Sequence, residues 1–286
     1  MGRKTNGSLT ARARQLAARA GIPYTAALAS LCTSRSSGTA SQQREAETGL
    51  PGLDRALGPL KPGTLTLVAG QTMAGSTALM LSLARHNAHR GLPVVLAELQ
   101  SNREQTGLML LAAESGQDLG PAAEHAADPV SLTEAADRLR RLPLYLTAPG
   151  PGTLARVRID AVRRRAGLLL VDDLALAADP GTDTPAPPGE AAAALASLAR
   201  TLNVPVIAAA HLGPPSASTP GLGDLRDQHA LEYTDHVILL LRPHRLAPVP
   251  GGPDPVTLHV TRPDGTALGS TTVRFEPEYH RMITAT

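Results

Sequence analysis

From residue 48 to residue 211, short apolar runs alternate with segments of helical periodicity, and this alternation constrains the fold more than any other feature. Short apolar runs bounded by Gly or Pro are typical of buried strands, and each intervening segment is long enough for a helix. Alternating strands and helices form right-handed crossovers, which produce a mainly parallel sheet with helices on both faces. The sequence therefore predicts an α/β fold. Its strands are expected at 64–69, 93–98, 143–147, 167–172 and 204–210.

Three further apolar runs near the C terminus are joined by turns rich in Pro and Gly. They span 236–243, 256–262 and 270–277. Strands joined by short turns pair antiparallel, so we expect these runs to extend the parallel sheet as hairpin strands. Because aromatic residues make up only 2% of the chain, the core of this sheet must be built from aliphatic side chains.

The N-terminal segment differs from the rest of the chain in charge. The whole chain carries a formal charge of +2, and residues 1–44 contain no Asp or Glu, so the +7 of this segment leaves −5 for the remainder. We predict a basic helical hairpin over 1–33, a Ser- and Gln-rich linker over 34–46 and the α/β domain over 47–286. The basic face of the hairpin suits nucleic acid, but packing against the α/β domain or a neighbouring subunit is the favoured interpretation.

Several classes of protein are excluded by simple features of the sequence. No stretch approaches the roughly 20 uninterrupted apolar residues that span a bilayer, and the basic N terminus is not followed by the apolar run of a signal peptide. The single cysteine, Cys32, excludes an intrachain disulfide framework and a cysteine metal cluster. We therefore expect a cytoplasmic protein without a membrane partner.

The segment between the first predicted strand and the following helix resembles a phosphate-binding loop of the pattern G-x-x-x-x-G-K-[ST]. Such a loop needs glycines for its tight turn, inward-pointing amides, a helix N terminus and a hydroxyl for Mg²⁺. The position of the lysine, which neutralises charge on the β- and γ-phosphates, holds a serine. Taken alone, the segment also fits an ordinary strand-to-helix turn. The candidate phosphate-binding residues are Gly70, Gln71, Thr72, Met73, Ala74, Gly75, Ser76 and Thr77.

Four motifs extend this pattern over most of the chain. They are the lead-in TGLPGLDRALGPLKPG at 48–63, LLLVDDLAL at 168–176, NVPVIAAAHL at 203–212 and GDLRDQHALEYTDHVILLLRP at 223–243. In order and spacing they resemble the C-terminal domain of DnaB-type replicative helicases, and RadA- and KaiC-type ATPases share the lead-in. The resemblance runs from Thr48 to Phe275 and implies a RecA-like P-loop NTPase core with ATP and Mg²⁺ as ligands. It does not include the N-terminal primase-binding domain of that family.

The same resemblance implies roles for individual residues. The positions that support Mg²⁺ fall on Thr77 and Asp172, which keep the family's residue types. The catalytic glutamate falls on Gln100, and an amide cannot accept the proton of an attacking water. Glu98 precedes it by two residues and is a candidate substitute base, because alternate residues of a strand share one side.

Two more positions concern the far end of the nucleotide. His211 stands at the position that senses the γ-phosphate. The family also has a K-x-R pair, which acts on the nucleotide of a neighbouring subunit. In this chain only Arg262 stands near that position as a candidate trans-acting cation. The segments 174–199 and 201–225, where the helicases carry basic residues toward single-stranded DNA, contain no Lys or Arg.

Two functions follow from these features. The first hypothesis is a pseudo-helicase of DNA replication and DNA metabolism, which keeps the outline of an ATP site, hydrolyses little or no ATP and serves as a structural or regulatory partner. It would assemble with itself or with a related helicase subunit, as a homo- or hetero-oligomer such as a ring. The alternative is an active ATP-dependent DNA helicase, or a RadA- or KaiC-like ATPase, with non-standard catalytic residues. DNA-stimulated hydrolysis of ATP distinguishes the two.

Overall fold

The computed structural model describes residues 14–15, 17–18, 45–120, 127–147, 153–177, 188–214, 220–241 and 254–285. The helices are α1 (Pro51–Leu57), α2 (Ser76–His89), α3 (Arg103–Ser115), α4 (Pro129–Arg141), α5 (Thr153–Arg164) and α6 (Pro188–Leu202). The strands are β1 (Leu65–Gly70), β2 (Val94–Glu98), β3 (Leu144–Thr147), β4 (Leu168–Asp172), β5 (Val206–His211), β6 (His236–Leu241), β7 (Asp254–Thr261), β8 (Ala267–Glu276) and β9 (Arg281–Thr284).

All of these strands form one sheet in the order β3-β2-β4-β5-β1-β6-β7-β8-β9. Strands β1 to β6 pair in parallel, and β7, β8 and β9 continue the sheet as antiparallel strands. The predicted α/β class, the five parallel strands and a C-terminal antiparallel extension are therefore confirmed. The expectation for the first C-terminal run was wrong in part, because β6 pairs in parallel with β1 and is antiparallel only to β7. Strand β9 was not expected from the sequence pattern.

Helices cover both faces of the parallel part of the sheet. Helices α2, α3 and α4 bury their apolar side chains in one core, and α5 and α6 bury theirs in a second core across the sheet. Every residue of β1, β2 and β4 is buried for this reason. Strand β7 instead alternates buried and half-buried residues, which is the pattern of a sheet with only one well-covered face.

A buried carboxylate joins the three helices on the first face. The side chain of Glu114, at the end of α3, is 5% exposed and accepts bonds from Arg85 and His89 of α2 and from Arg138 of α4. The distances are 2.8 Å, 3.0 Å and 3.0 Å. Although burial opposes ionisation, hydrogen bonds from His89, Arg85 and Arg138 and the charge of Arg85 lower the pKa of Glu114 to about 2.

Most of the predicted N-terminal hairpin lies outside the described residues. Residues 14, 15, 17 and 18 are helical, whereas the rest of 1–33 and the linker up to residue 44 are not described. No helix in the described part of the chain is both long enough and apolar enough to cross a bilayer.

Candidate nucleotide-binding site

The predicted phosphate loop connects the C-terminal end of β1, near the centre of the sheet, to the first turn of α2. Met73 and Gly75 adopt left-handed backbone conformations, with φ of 67° and 98°. The amide of Ala74 donates to the carbonyl of Gln71 at 3.0 Å, which closes the turn. Open α/β sheets bind ligands at this edge, and a helix N terminus here attracts anions. The loop therefore has the position and the backbone form of a phosphate cradle.

The C-terminal strands β8 and β9 pack against this loop at Gly75. A Cβ atom added to Gly75 would lie 2.5 Å from Cε of Met282, and the Phe275 ring is 3.5 Å from the same point. At Gly70 an added Cβ would lie 3.0 Å from both the Cβ of Ala74 and the Oγ of Ser76. Close packing therefore disfavours a side chain at Gly75 and leaves little room for one at Gly70, where Ser76 places its hydroxyl beside the end of β1.

The two predicted Mg²⁺ positions lie next to each other. Asp172 ends β4 and is 1% exposed, and the Thr77 side chain lies close enough to lower the pKa of its carboxyl. Burial, reinforced by the charges of Glu98 and Asp173, raises the pKa of Asp172 to about 7. Within the described part of the chain, its Oδ2 has no hydrogen-bond partner.

These features fit a magnesium ion. Mg²⁺ prefers hard oxygen ligands and is usually held by one or two protein groups together with substrate phosphates and water. The orphaned carboxylate oxygen of Asp172 and the hydroxyl of Thr77 are such groups. The described residues contain no cluster of three or more His, Cys, Asp or Glu that would hold an ion without a nucleotide.

Gln100 and His211 come together with an aspartate that the sequence analysis did not single out. Nε2 of His211 lies 2.7 Å from Oδ2 of Asp173, and Nε2 of Gln100 lies 3.5 Å from each of these atoms. The hydrogen bond that His211 donates to the carboxylate of Asp173 is the main cause that raises the pKa of His211. His211 pairs in register with Gly70, so this group flanks the phosphate loop. The second Asp of the V-D-D sequence was the available signal for Asp173.

Glu98 has a different environment from Gln100, although the two residues are close in sequence. Its carboxylate is buried and accepts bonds from the amides of Gln100 and Ser101, at 3.0 Å and 2.8 Å, and from Oγ1 of Thr106, at 3.1 Å. Burial raises the pKa of Glu98. Strand β2 ends at Glu98, so the alternation of a strand does not carry on to Gln100. The carboxylate closes the turn between β2 and α3, and the Gln100 amide faces His211.

Arg262 lies at the opposite edge of the sheet. It occupies the turn between β7 and β8, where its amide donates to the carbonyl of Thr266 at 2.8 Å. Strand β6 runs parallel to β1, and the start of β6 pairs with the end of β7, so this turn lies at the edge where β1 begins. Within one subunit, Arg262 is therefore separated from the phosphate loop by the length of the sheet.

The segments without Lys or Arg border the same site. Segment 174–199 follows β4, and residues 178–187 of it are outside the described part of the chain. Segment 201–225 contains β5, and residues 215–219 of it are also not described.

Comparison with known proteins agrees with this arrangement. The model of the DnaB-like helicase C-terminal domain matches residues 46–283. The chain is 30% identical over 212 residues to the replicative DNA helicase DnaB of Treponema pallidum (strain Nichols), with 69% of this chain and 48% of the relative covered. It is 29% identical over 197 residues to the DnaB helicase of Synechocystis sp. (strain ATCC 27184 / PCC 6803 / Kazusa), with 63% and 22% covered. The chain thus spans about half the length, or less, of these relatives.

A solved structure shows the same fold at low sequence identity. A DnaB-like replicative helicase, determined with its interactions with primase, superposes with a TM-score of 0.72 at 19% identity, covering 87% of this chain and 65% of that one. The sheet and its helices are therefore a RecA-like ATPase fold. Because the family model covers most of the sequence, the chain belongs to the family of DnaB-like helicase C-terminal domains.

Proposed function

We propose that this protein binds ATP with Mg²⁺ at the loop Gly70–Thr77, hydrolyses it slowly or not at all, and serves DNA replication as a structural or regulatory subunit. One observation carries the proposal. Gln100 stands at the position of the family's catalytic glutamate, and Nε2 of its amide lies 3.5 Å from Nε2 of His211. An amide cannot accept a proton from an attacking water, so the position cannot supply a general base.

The carboxylate of Glu98, two residues before Gln100, is already occupied by hydrogen bonds within its own turn. Both oxygens of Glu98 accept hydrogen bonds from the turn between β2 and α3. A carboxylate that left these donors would give up the hydrogen bonds from the amides of Gln100 and Ser101, each worth roughly 0.5–1.5 kcal/mol. This cost supports a structural role for Glu98 and argues against its use as a substitute base.

The loop also lacks the lysine that stabilises charge in the transition state. Ser76 places a short neutral side chain beside Gly70, and the backbone amides and the helix N terminus still favour an anion. Binding and catalysis are therefore separated in this loop. Bound Mg²⁺ would neutralise phosphate charge, and Thr77 and Asp172 are the residues that would hold it.

The position of Arg262 supports an assembly in which subunits share nucleotide sites. A cation at the edge opposite to the loop can reach a nucleotide only when it belongs to a neighbouring subunit. We therefore include in the proposal an oligomer, such as a ring, formed with further copies or with a related helicase subunit. Binding of nucleic acid through the basic residues 1–44 is part of the same proposal, because their charge suits a phosphate backbone.

The alternative function is an active ATP-dependent DNA helicase or a RadA- or KaiC-like ATPase. One observation favours it, since burial raises the pKa of Glu98 towards the range of a general base. This carboxylate would have to leave the turn when nucleotide binds.

Two measurements on the full chain separate these functions. We expect a fluorescent ATP analogue to bind in the presence of Mg²⁺, to bind at least tenfold more weakly to Asp172→Asn, and to show no turnover above background with or without single-stranded DNA. Absence of any nucleotide binding would contradict the site itself.

Turnover is the second measurement, and it needs variants that restore the family residues. Ser76→Lys alone should rescue little activity, and Ser76→Lys with Gln100→Glu should give slow turnover at most, because groups that act together in catalysis are strongly non-additive. Mg²⁺-dependent hydrolysis by the native protein that disappears in Glu98→Gln would overturn the proposal in favour of the alternative.

A further inference from the structure

Helix α5 carries two apolar stripes, of which only one faces the sheet. The inner stripe contains Val157 and Ala161, which are buried in the core under β2 and β3. The outer stripe consists of Ala155, Ile159 and Val162, at positions i, i+4 and i+7. Ile159 is 55% exposed and Val162 is 58% exposed, and both are large hydrophobic residues on the protein surface.

Spacing of four and three residues is the spacing of a helix-packing seam. Residues separated in this way lie above one another along one side of a helix, and such a side meets a second helix by interlocking side chains. A soluble helix needs only one apolar side to pack on its own domain. The outer stripe of α5 is therefore a second packing side with no occupant among the described residues.

Arginines flank this stripe on both sides. At 3.6 residues per turn, Arg158 lies on one side of Ile159 and Val162, and Arg156 and Arg163 lie on the other. All three arginines are exposed. Within the described ranges, Arg158 and Arg163 have no acidic partner, and the single acid of α5, Asp160, is turned inward to accept from Thr147 at 2.9 Å.

We propose that the outer face of α5, defined by Ala155, Ile159 and Val162 with Arg156, Arg158 and Arg163, binds an amphipathic helix of a partner protein. The partner helix would carry apolar residues at alternating spacings of three and four, with Asp or Glu on both sides of them. Apolar residues bordered by Arg are the composition of protein interfaces, where Arg is enriched and Lys is depleted. Opposite charges on the two flanks would set the register and the orientation of the partner.

Charge argues against two helices of this chain as occupants, one from the N-terminal segment and one from a second copy of α5. Residues 1–44 carry seven Lys and Arg and no Asp or Glu, so a helix from this segment would be repelled by the α5 arginines. A second copy of α5 would place arginines against arginines for the same reason. Neither of these helices fits, and an acidic helix of a different protein does.

The side chains also argue against nucleic acid at this face. Single strands are held by aromatic side chains that stack on bases, together with cations that follow the backbone. The exposed centre of this face is aliphatic, and Tyr145 of β3 lies beneath the guanidinium of Arg164 at 4.4 Å. Branched aliphatic residues suit the apolar side of a helix.

The test uses the full chain and a synthetic helical peptide of three heptads, with Leu at the seam positions and Glu on both flanks. Fluorescence anisotropy of the labelled peptide should show saturable binding. A matched peptide with Lys in place of Glu should bind at least tenfold more weakly, because its flanks repel the arginines. The double variant Ile159→Ser with Val162→Ser should weaken the Glu peptide by at least tenfold, since it removes the apolar centre.

Charge reversal provides the decisive control. The variant Arg158→Glu with Arg163→Glu should lose the Glu peptide and gain the Lys peptide, whereas Arg55→Glu, an exposed arginine of α1, should change neither. Thermal unfolding of each variant checks that the fold is retained. The proposal is overturned if the Glu and Lys peptides bind equally, or if the α5 variants bind the Glu peptide as the native chain does. It is also overturned if charge reversal at α5 abolishes binding of a single-stranded oligonucleotide and leaves peptide binding unchanged.

Discussion

Three acidic side chains meet where β2 and β4 end, and their partners give them three different roles. Glu98 binds the amides of the turn that follows β2, and Asp173 pairs with His211 at 2.7 Å. Asp172 keeps one oxygen without a partner among the described residues. Because burial of an unpaired charge is costly, this oxygen supports the proposal that Asp172 holds Mg²⁺.

The raised pKa of Asp172 predicts how stability depends on pH. Since its pKa rises from 3.8 to about 7 on folding, the ionised carboxylate destabilises the native state, and the contribution of Asp172 to stability should fall as the pH increases from 4 to 7. Asp172→Asn removes this charge and should stabilise the nucleotide-free protein at pH 8 by about 1–2 kcal/mol. The gain should shrink to nearly nothing at pH 4. Urea unfolding at both pH values measures it.

The neighbouring aspartate supplies the control. Asp173→Asn removes the partner of His211 and should lower the stability of the protein at pH 6. If the two Asn variants changed stability in the same direction, the assignment of different roles to these aspartates would be wrong.

At the scale of elements, the phosphate loop depends on strands that are far away in the sequence. Met282 of β9 touches Gly75, and its amide donates to Oγ of Ser82 in α2 at 2.9 Å. The C-terminal strands thus hold both the loop and the helix that follows it. Strands β8 and β9 contact the loop at Gly75, and His211 of β5 lies beside its first residue, Gly70.

Substitution of Gly75 tests this support. Gly75→Ala combines the strain of a left-handed residue with a Cβ 2.5 Å from Cε of Met282, so we expect a loss of about 2–3 kcal/mol in thermal unfolding. Gly265→Ala is a matched control, because Gly265 has φ of 88° and no atom within 4 Å of its added Cβ. This control should lose about 1 kcal/mol from the backbone alone. Equal losses for the two variants would show that Met282 does not press on the loop.

The Glu114 cluster ties α2, α3 and α4 together, and its loss should separate them. Glu114→Gln leaves Arg85 and Arg138 without their partner, so the free energy of unfolding at pH 7 should fall by about 2–3 kcal/mol. The pKa of Glu114 is lowered from 4.5 to about 2, so its contribution is complete above pH 4.5 and disappears as the pH falls through 2. The difference between native and variant protein should follow that course. Glu134→Gln, an exposed acid of α4, should lose less than 0.5 kcal/mol by the same measurement.

At the scale of the whole molecule, the candidate functional residues lie at the two opposite ends of the parallel strands. The phosphate loop, Asp172 and His211 occupy the edge where the parallel strands end, and Arg262 occupies the edge where they begin. One subunit therefore cannot bring both edges to the same nucleotide. An assembly in which the second edge of one subunit faces the first edge of the next brings them together.

This separation predicts different effects on binding and on assembly. Arg262→Ala should leave the affinity of the dilute protein for fluorescent ATP within twofold, because the residue is remote from the loop of its own subunit. The same variant should weaken assembly promoted by ATP, measured by sedimentation velocity over a range of protein concentrations. A large loss of affinity at high dilution would place Arg262 in its own subunit's site and contradict the arrangement.

The sequence by itself determined the class of fold, because apolar periodicity and the placement of Gly and Pro act locally along the chain. The strands β1 to β5 lie within one or two residues of their expected positions, and Gly70–Thr77 forms a loop at the expected end of β1. Strand β9 escaped this reasoning because it has only four residues and no strong apolar run. Its contact with Gly75 depends on a chain reversal that no local pattern encodes.

Only the tertiary structure decided which polar side chains meet. If β2 continued to residue 100, Glu98 and Gln100 would lie on the same side of the strand. The strand instead ends at Glu98, and the turn directs Glu98 to backbone amides and Gln100 to His211. The sequence offers Asp173 only as the second Asp of V-D-D, and its pairing with His211 depends on β4 and β5 lying side by side. Local periodicity reports which face of an element is apolar, whereas the partner of a buried charge is set by the residues that the sheet brings together from distant parts of the chain.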